Sequence, residues 1–559
     1  MKQLINKTLP LILIAIPVIV FWYWFFAFAV DAPMWDDFVL TDFMLRLNEN
    51  PSFSEKLHLF FAQHNAHRIV YDRVITYLVW LLTGKMDFRL MMLIGNLSLM
   101  GLLGLFWKVF RTEGLSAWQF VPVPMLLLTM QGYENTFWAM AALQNYTVLF
   151  FVLTSLHCLA VSASGSQAGK NFNWAIILAI LATFTSGNGQ MTFFIGILLL
   201  IYQRQWRKLG VWCLAMLPTL GLYFWGYNRL PQELFTSKFF INFFAFNGAA
   251  FADSDQYKIA MMVGIVVFVW LAGIFSWKVL LPLLNKHTSS AKSSLGVQAW
   301  FVFLCITSLL VAASHLKELP IHETLVSRYK IYSHLFLIIS YLWLLILLKN
   351  HWRTIATALS IVFGLGFEAA AYYQFFDDMS YRNRDLIITG FNVKHNGTCL
   401  MGISHAAAAD SVYRKLEAKG LYELPQEIDF PEQIVQPTQI GLNVEEVQRK
   451  LLYFTPLVKT LAISNDDYLP LITAPQDGAF VVLRSPTKTF VFNTHQNQNG
   501  KKGFFTGGGY YRAGFFTEIH KPLLPPDAYR VGLLVIENGK SRLELTHQQV
   551  KVQENELVE

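Results

Sequence analysis

The fold is decided first by residues 9–30, LPLILIAIPVIVFWYWFFAFAV, a stretch without a single charged side chain. A helix needs about 20 apolar residues to cross the hydrocarbon core of a bilayer, and this stretch is long enough. The tripeptide Ala27-Phe28-Ala29 within it resembles a signal-peptidase site, but the apolar part is longer than the core of a signal peptide. We therefore expect the stretch to remain as the first membrane-spanning helix.

The composition of the 559 residues is that of a membrane protein. The hydrophobic fraction is 54%, the mean hydropathy is +0.39, and only 14% of residues are charged, against about 25% in a soluble domain. These values exclude a soluble enzyme, a coiled coil and a disordered chain. The net charge of +7 comes from basic residues spread over short loops, so we interpret it as a topology signal and expect no nucleic-acid partner. The four cysteines form no CxxC pair, which argues against disulfides and zinc fingers.

Ten further apolar runs follow the first, so the membrane part has about 11 predicted spans. They cover residues 90–108, 118–131, 142–161, 174–186, 190–203, 209–226, 259–280, 297–314, 331–348 and 354–373. The short pair 174–186 and 190–203 could be a hairpin that does not fully cross, which leaves nine spans and the same orientation.

The loop charges fix the orientation. Lys and Arg concentrate in the inner loops only if the run 69–82 does not cross the membrane. We therefore predict that this run is a helix on the outer membrane surface, with the N-terminus of the chain inside and the C-terminus outside.

The composition changes after Phe376, and residues 377–559 have ordinary polarity. Residues 405–419 have the pattern of a helix. Alternating or apolar runs between turn signals predict strands at 479–484, 488–493, 503–519, 529–536 and 541–552. The fold class is therefore an all-α polytopic membrane domain, residues 1–375, followed by an extracytoplasmic β-sandwich-like domain, residues 376–559.

The first outer loop carries the adjacent acids Asp36 and Asp37 beside Trp35. Two neighbouring carboxylates can bind a divalent cation such as Mg or Mn through their oxygens. One of them can equally act as a general base, because like charges close together disfavour double ionisation. Solvated loop acids that only mark the outer side are the alternative.

The same loop continues with HNAHRIVYDR, residues 64–73. On a helix, His64, His67, Arg68 and Tyr71 would share one face, because they lie three and four residues apart. Such a face could receive a phosphate, whose oxygens match the planar fork of arginine. The alternative is an interfacial helix that contacts lipid headgroups.

Two later outer loops add groups suited to sugars and anions. Residues 131–138, QGYENTFW, combine an acid, an amide and aromatic rings, which suits a carbohydrate or an aromatic belt. Residues 327–330, SRYK, place Arg328 at the outer mouth of a span, where it can bind an anionic headgroup or only reach the interface. All these groups lie on one predicted side and none at mid-span, which favours a surface reaction on a lipid-borne phosphate over transport.

In this order the motifs resemble those of the GT-C class of membrane glycosyltransferases, which take sugars from polyprenyl-phosphate carriers. The likeness covers residues 1–375 and rests on WDD (35–37), HRIVYDR (67–73), GYENTFW (132–138) and SRY (327–329). The last three are similar to segments of uncharacterised bacterial members that read EHR-I-x-x-x-R, G-W-E-N-x-x-W and SRY. Ala66 stands where those members carry an acid, so no carboxylate has that role here.

The resemblance implies an inverting hexosyl- or pentosyltransferase in the bacterial inner membrane. It would move a sugar from a polyprenyl-phosphate donor to an envelope glycan, lipid or protein acceptor on the outer face. Asp37 or Asp36 would be the base, and their pair permits a divalent metal without requiring one. The residues implied for the donor phosphate are Arg328, Arg68, His67 and Lys330. The residues implied for the sugar or acceptor are Glu134, Asn135, Trp35 and Tyr329.

Two other functions remain open. An O-antigen polymerase or ligase would act on diphosphate-linked glycans, but its large outer loop usually lies late in the membrane part. A flippase or transporter of lipid-linked sugars would need polar residues at mid-membrane or inverted repeats. In the C-terminal domain, Tyr510, Tyr511 and residues 515–516 could bind a glycan or protein acceptor, or belong to an ordinary strand core.

Overall fold

A computed structural model describes the chain as two compact units. The first unit comprises Met1–Phe25, Arg46–Val79 and Leu90–Tyr372, and the second comprises Phe26–Leu45, Trp80–Arg89 and Tyr373–Glu559. The residues that the structure describes are 2–228, 238–252, 256–284, 292–314, 325–399, 406–425, 428–431, 434–435, 440–450, 457–553 and 557–558. Each unit is built from more than one stretch of chain, and the second takes in most of the acidic first loop.

Apolar helices dominate the membrane part. The long helices are Lys2–Phe28, Phe88–Thr112, Thr147–Val161, Ala168–Thr185, Trp206–Phe224, Tyr257–Phe275, Lys292–Ser314, Lys330–Leu347 and Asn350–Asn396. The shorter helices in the same part of the chain are Asp37–Leu47, Phe53–Phe61, Val70–Thr83, Ala117–Phe120, Pro122–Leu127, Tyr133–Thr136, Ala139–Ala141, Met191–Tyr202, Phe239–Asn247 and Leu281–Leu284.

Seven helical stretches of the described residues are long and apolar enough to cross a membrane. They are Thr8–Phe28, Phe88–Thr112, Ala139–Val161, Tyr257–Leu284, Ser294–Ala313, Ser327–Leu347 and Asn350–Asn396. These helices indicate a membrane-embedded protein. The total of about 11 spans and the orientation of the chain stay predictions.

Several predicted elements differ from the structure. The run 118–131 is broken into Ala117–Phe120, Pro122–Leu127 and a 3-10 turn at Met130–Gly132, in a segment where two prolines lack the N–H that a continuous helix requires. The segment predicted as a strand at 503–519 is a short helix, Lys501–Phe505, followed by a strand, Tyr511–His520.

The last predicted span is part of a much longer helix. Residues 354–373 belong to the helix Asn350–Asn396, which at 1.5 Å per residue is about 70 Å long, more than twice the thickness of a hydrocarbon core. The apolar run ends where polar residues become frequent, but the helix continues beyond it because polar residues also form helices.

The C-terminal part of the second unit is a β-rich region with one helix, Ala406–Ala418, before it, as predicted; His405 lies outside the described residues. One sheet has the strand order Ile434–Val435, Lys540–Val552, Asp527–Glu537, Gly478–Arg484 and Thr489–Phe492. The other has the order Leu557–Val558, Leu457–Asn465, Tyr511–His520 and His495–Gln498, with Asn443–Lys450 paired to Leu457–Asn465.

A single hydrophobic core joins the two sheets. Val481 and Leu533 of the first sheet and Ile463 and Phe515 of the second are almost fully buried in the same cluster. Alternation of inward and outward side chains along each strand places these residues on one face, so the sheets bury their apolar faces against each other.

Two glycines allow the helices Phe239–Asn247 and Tyr257–Phe275 to approach closely. A Cβ on Gly264 would lie 1.9 Å from the carbonyl oxygen of Phe244, and one on Gly248 would lie 2.0 Å from the carbonyl oxygen of Ala260. Because backbone atoms cannot move aside as a side chain can, this contact requires glycine at both positions.

We expect Gly264→Ala to lower the melting temperature of the detergent-solubilised protein, because overpacking costs about 1–3 kcal/mol. Gly273, in the same helix, has open space around its Cα, so Gly273→Ala is the matched control and should leave the melting temperature unchanged. Equal effects of the two substitutions would show that helix propensity, and not the close contact, decides the outcome.

Candidate functional site

The structure brings two of the predicted motifs together within the first unit. The hydroxyl of Ser327 donates to the carbonyl oxygen of Gln131 at 2.6 Å and accepts from the backbone N–H of Glu134 at 3.1 Å. Ser327 opens a 3-10 turn, Ser327–Tyr329, that leads into the helix Lys330–Leu347. The side chain of Ser327 therefore joins two irregular turns that are almost 200 residues apart in the chain.

Glu134 and Asn135 hold the peptide groups of Arg328. A carboxylate oxygen of Glu134 accepts from the backbone N–H of Arg328 at 2.9 Å. The amide of Asn135 donates to the backbone carbonyl of Arg328 at 2.8 Å, and its own carbonyl accepts from Asn145 at 2.9 Å. We call the group Ser327, Glu134, Asn135 and the Arg328 backbone the Arg328 clamp.

The guanidinium of Arg328 stays at the edge of this clamp. Its Nη1 lies 4.0 Å from the Glu134 carboxylate, and 24% of its side chain is exposed. Its Cζ lies 5.3 Å from the centre of the Tyr329 ring, within the range of a cation–π contact. The side chain is thus bordered by one carboxylate and one aromatic ring while a quarter of it still faces outward.

A buried polar network continues from the clamp into the apolar helix Lys330–Leu347. The Nζ of Lys330 donates to the carbonyl of Ala252 at 3.0 Å, and His334 lies 3.1 Å from the side-chain oxygen of Gln131. Both Lys330 and His334 are almost fully buried. His334 was not among the predicted site residues, although it falls four residues after Lys330 on the same helix face, a spacing that could have revealed it.

The predicted helical face of His64, His67, Arg68 and Tyr71 is wrong. Residues Gln63–His64 and His67–Arg68 form an antiparallel hairpin, and the helix begins only at Val70. Asn65 takes a positive φ of 47° in the turn, a conformation that asparagine tolerates better than most residues. A turn-forming asparagine between two histidines was the signal that the helical interpretation overlooked.

The Arg68 guanidinium donates its hydrogen bonds to backbone carbonyls. It donates to the carbonyls of Phe61, Tyr223 and Trp225, and the residue is 5% exposed. Burial lowers the pKa of Arg68 from its ordinary value, yet an arginine remains charged throughout the physiological range. His67 is half-buried, with its Cβ close to Gly187.

The acidic loop belongs to the second unit. Asp37 is fully buried, and its Oδ2 accepts from the backbone N–H of Met34 at 3.1 Å, whereas Asp36 is half-buried. Trp35 has a positive φ of 45° and a 48% exposed side chain, and Arg382 lies 5.5 Å from its ring centre. A bulky residue at positive φ is strained, and such strain is common at functional loops.

The predicted site residues therefore divide between the units. Glu134, Asn135, Arg328, Tyr329 and Lys330 lie together in the first unit. His67 and Arg68 lie in the same unit, whereas Trp35, Asp36 and Asp37 lie in the second. A joint action of the acids with Arg328 stays a prediction.

Metal binding at Asp36 and Asp37 also stays a prediction. Within the part of the chain that the structure describes, no group of three or more His, Cys, Asp or Glu side chains is gathered for a metal ion. Two adjacent carboxylates supply fewer oxygens than the six that Mg prefers, so water or a substrate phosphate would have to complete the set.

Asp31, at the start of the same loop, is a half-buried acid with defined partners. Its Oδ1 accepts from the backbone N–H of Phe88 at 2.7 Å, and the hydroxyl of Tyr422 donates to its backbone carbonyl at 2.6 Å. Burial, with a smaller contribution from Asp87, raises the pKa of Asp31 to about 7, although Lys85 opposes the shift.

Comparisons with protein-family models, with curated proteins and with solved structures gave no significant match for this chain.

The raised pKa of Asp31 predicts a pH-dependent stability. The folded pKa of about 7 lies above the ordinary value of 3.8, so the folded state holds the proton more tightly and loses stability as pH rises between these two values. We expect Asp31→Asn, which keeps an oxygen to accept from Phe88, to raise the melting temperature at about pH 8. At about pH 4 the variant and the wild type should melt alike. A pH-independent difference would contradict the assignment.

Proposed function

We propose that the chain is a membrane glycosyltransferase that uses a polyprenyl-phosphate sugar, and that Arg328 stabilises the charge on the departing phosphate. The observation that supports this proposal is the Arg328 clamp. Both backbone groups of Arg328 are held by side chains of the adjacent residues Glu134 and Asn135, which belong to a different motif of the proposed family.

The clamp suits the chemistry of this reaction. The leaving group is already a phosphate, so the protein mainly has to supply a base and positive charge that is fixed in advance. Charge held in place before the reaction costs no reorganisation at the transition state. A backbone fixed at both N–H and C=O gives the Arg328 side chain a rigid origin, while its exposed quarter can reach a ligand.

The other predicted cations support the choice of Arg328. Arg68 is bound to three backbone carbonyls, and Lys330 is bound to one and is 2% exposed. Either would have to leave a buried carbonyl without that donor before it could bind phosphate, and an unsatisfied buried group costs about 1–3 kcal/mol. In the proposal these two cations therefore position the backbone.

Glu134 and Asn135 are likewise positioning residues in this proposal. Asn135 is fully buried, and Glu134 is 8% exposed, so both offer little surface to a sugar. Tyr329, half-buried and stacked near Arg328, is the better candidate for a sugar contact in the first unit.

The proposal assigns the base to the acidic loop of the second unit. Asp36 is favoured over Asp37, because Asp37 is fully buried and already accepts from the Met34 backbone. Trp35, whose ring is half exposed, would contact the sugar or the acceptor.

A second candidate function is transport of a lipid-linked sugar. It is favoured by the buried polar network of Gln131, Lys330 and His334, since polar groups inside apolar helices often mark a substrate path. Vesicles that contain the protein and an inert lipid-linked sugar separate the two candidates, because a transporter moves the lipid across the bilayer without any transfer of the sugar.

Replacement of Arg328 tests the proposed phosphate contact. Arg328→Ala keeps both clamped backbone groups, so we expect normal amounts of folded protein in the membrane and about 10²–10³-fold slower transfer. The assay follows radiolabelled polyprenyl-phosphate hexoses and pentoses with a membrane extract as the acceptor source. Arg207→Ala removes an exposed arginine of the same unit and is the control. Unchanged transfer by Arg328→Ala would refute the proposed role.

The two acids are tested as a matched pair. Asp36→Asn should slow transfer by about 10²–10⁴-fold, the usual effect of a lost base, with the protein still folded. Asp37→Asn keeps an oxygen for the Met34 N–H and should slow transfer much less. The reverse order would assign the base to Asp37, and normal rates in both variants would remove the loop from the mechanism. Each measurement is repeated with a chelator, which reads out any metal requirement separately.

A further inference from the structure

One exposed aromatic ring stands out on the outer face of the second sheet. Phe516, on the strand Tyr511–His520, is 47% exposed, while its chain neighbour Phe515 is 1% exposed in the core. Since side chains alternate along a strand, Phe515 belongs to the packed face and Phe516 to the outer face. The outer face of the second sheet therefore carries a large exposed apolar side chain.

The ring of Phe516 is held in place by a stack of aromatic rings. The ring of His495 lies 5.3 Å from that of Phe516 at an interplanar angle of 24°. The centre of the Tyr381 ring lies 3.9 Å from that of the His495 ring, at an interplanar angle of 2°. Asp377 fixes the imidazole, with its Oδ2 3.4 Å from His495 Nδ1.

Asp377 is itself held by the hydroxyl of Tyr511, which donates to its Oδ1 at 3.0 Å. The Phe516 ring is thus backed by partners whose own positions are fixed by hydrogen bonds. A ring that is ordered before a ligand arrives loses little conformational entropy on binding, which is how rigid aromatic side chains favour recognition.

Polar side chains extend the same face across the sheet. Ser464 is directly opposite Phe516 on the neighbouring strand, and Asn443 is directly opposite Ser464 on the strand after that. Directly paired residues point to the same face, with Cβ atoms about 5 Å apart. Hydroxyl and amide groups therefore lie to one side of the exposed ring.

A charged pair lies further along the strand. Glu518 is two residues from Phe516 and so is on the same face, about 7 Å away. Its carboxylate accepts from the guanidinium of Arg449 at 2.6 and 2.9 Å, and both side chains are more than a third exposed. The pair supplies planar acceptors and donors on the same face as the exposed ring.

We propose that this outer face, with Phe516 as its platform, binds a glycan made of pyranose rings. One face of a pyranose carries C–H groups, which pack against the electron-rich face of an aromatic ring, while its hydroxyls need polar partners at the rim. The row Phe516, Ser464 and Asn443, with Glu518 and Arg449 beside it, offers both. The inference rests on the proposed function only where it identifies this glycan as the acceptor.

The test measures binding to the full chain in lipid nanodiscs, in the absence of any donor. The probes are fluorescently labelled linear oligosaccharides of glucose, mannose and N-acetylglucosamine, each offered up to millimolar concentration. We expect at least one probe to bind, and Phe516→Leu to bind it about tenfold more weakly. Phe516→Tyr keeps an aromatic ring and should bind like the wild type.

Leu471 provides the matched control. It is an exposed apolar residue of the same unit, 55% exposed in a loop, so Leu471→Ala should leave glycan binding unchanged. Melting temperatures of all variants verify that the fold persists. The proposal is overturned if no probe binds the wild type, or if Phe516→Leu binds as tightly as the wild type, since leucine keeps the apolar bulk without the ring.

The same assay separates this proposal from that of the glycosyltransferase. Arg328→Ala should bind the oligosaccharide normally while losing transfer. Unimpaired transfer in Arg328→Ala with Phe516-dependent binding would refute the proposed role of Arg328 and leave the glycan surface standing. If Arg328→Ala loses transfer as expected but no glycan binds the wild type, the proposed role of Arg328 stands and the glycan surface is refuted.

Discussion

Backbone groups that are buried in an apolar unit must find hydrogen-bond partners, and this constraint organises the first unit. Where helices break, the N–H and C=O groups of the turns lose their helical partners, and hydrocarbon offers none. In the Arg328 clamp, side chains from the turn around Met130–Gly132 bond to backbone groups of the turn Ser327–Tyr329, and Ser327 bonds to backbone groups of the first turn. Their pairing makes irregular backbone compatible with a buried position and at the same time fixes Arg328.

The same constraint explains what the buried cations do. Arg68 donates to three carbonyls, Arg73 to those of Phe60 and Ala62, and Lys330 to that of Ala252. Phe60, Phe61 and Tyr223 lie in the last turns of their helices, where carbonyls lack backbone N–H donors. A guanidinium with five N–H groups can satisfy several of these carbonyls at once. A motif that resembles a phosphate site in the sequence can therefore serve only to donate hydrogen bonds to backbone carbonyls. Burial of the cation and its hydrogen-bond partners distinguish this structural role from a phosphate site.

The sequence predicted the parts of this fold that depend on apolar periodicity and failed where single residues overrule it. The apolar runs gave the membrane character and most of the long helices, because their burial needs no specific partner. Asn65 turned a predicted helix face into a hairpin, and prolines 122 and 124 broke a predicted span. The strand Leu457–Asn465 was missed, although Pro456 before it and the turn-forming residues Asn465 and Asp466 at its end marked its limits in the sequence.

The candidate site shows the same limit more sharply. Composition and order of the motifs were enough to select Glu134, Asn135 and Arg328, but not to foresee that the first two hold the peptide of the third. Contacts over such a sequence separation depend on tertiary packing, about which a local pattern is silent. What the pattern does carry is chemistry: acids, amides and arginines in an otherwise apolar chain are expensive to bury, so each that is present must satisfy a backbone group or serve a ligand.

Backbone strain in the acidic loop indicates that its side chains serve a ligand and not only the backbone. Trp35 holds a positive φ of 45° with half of its side chain exposed, a state that costs about 1–3 kcal/mol and gains no core burial in return. The loop keeps this conformation through local bonds, in which Asp37 both donates to the carbonyl of Met34 and accepts from its N–H. A buried acid is thus used to hold an exposed ring and the half-buried Asp36 in fixed positions. Such an arrangement is difficult to explain by stability alone, and it is what a loop that must present an aromatic ring and a carboxylate to a ligand requires.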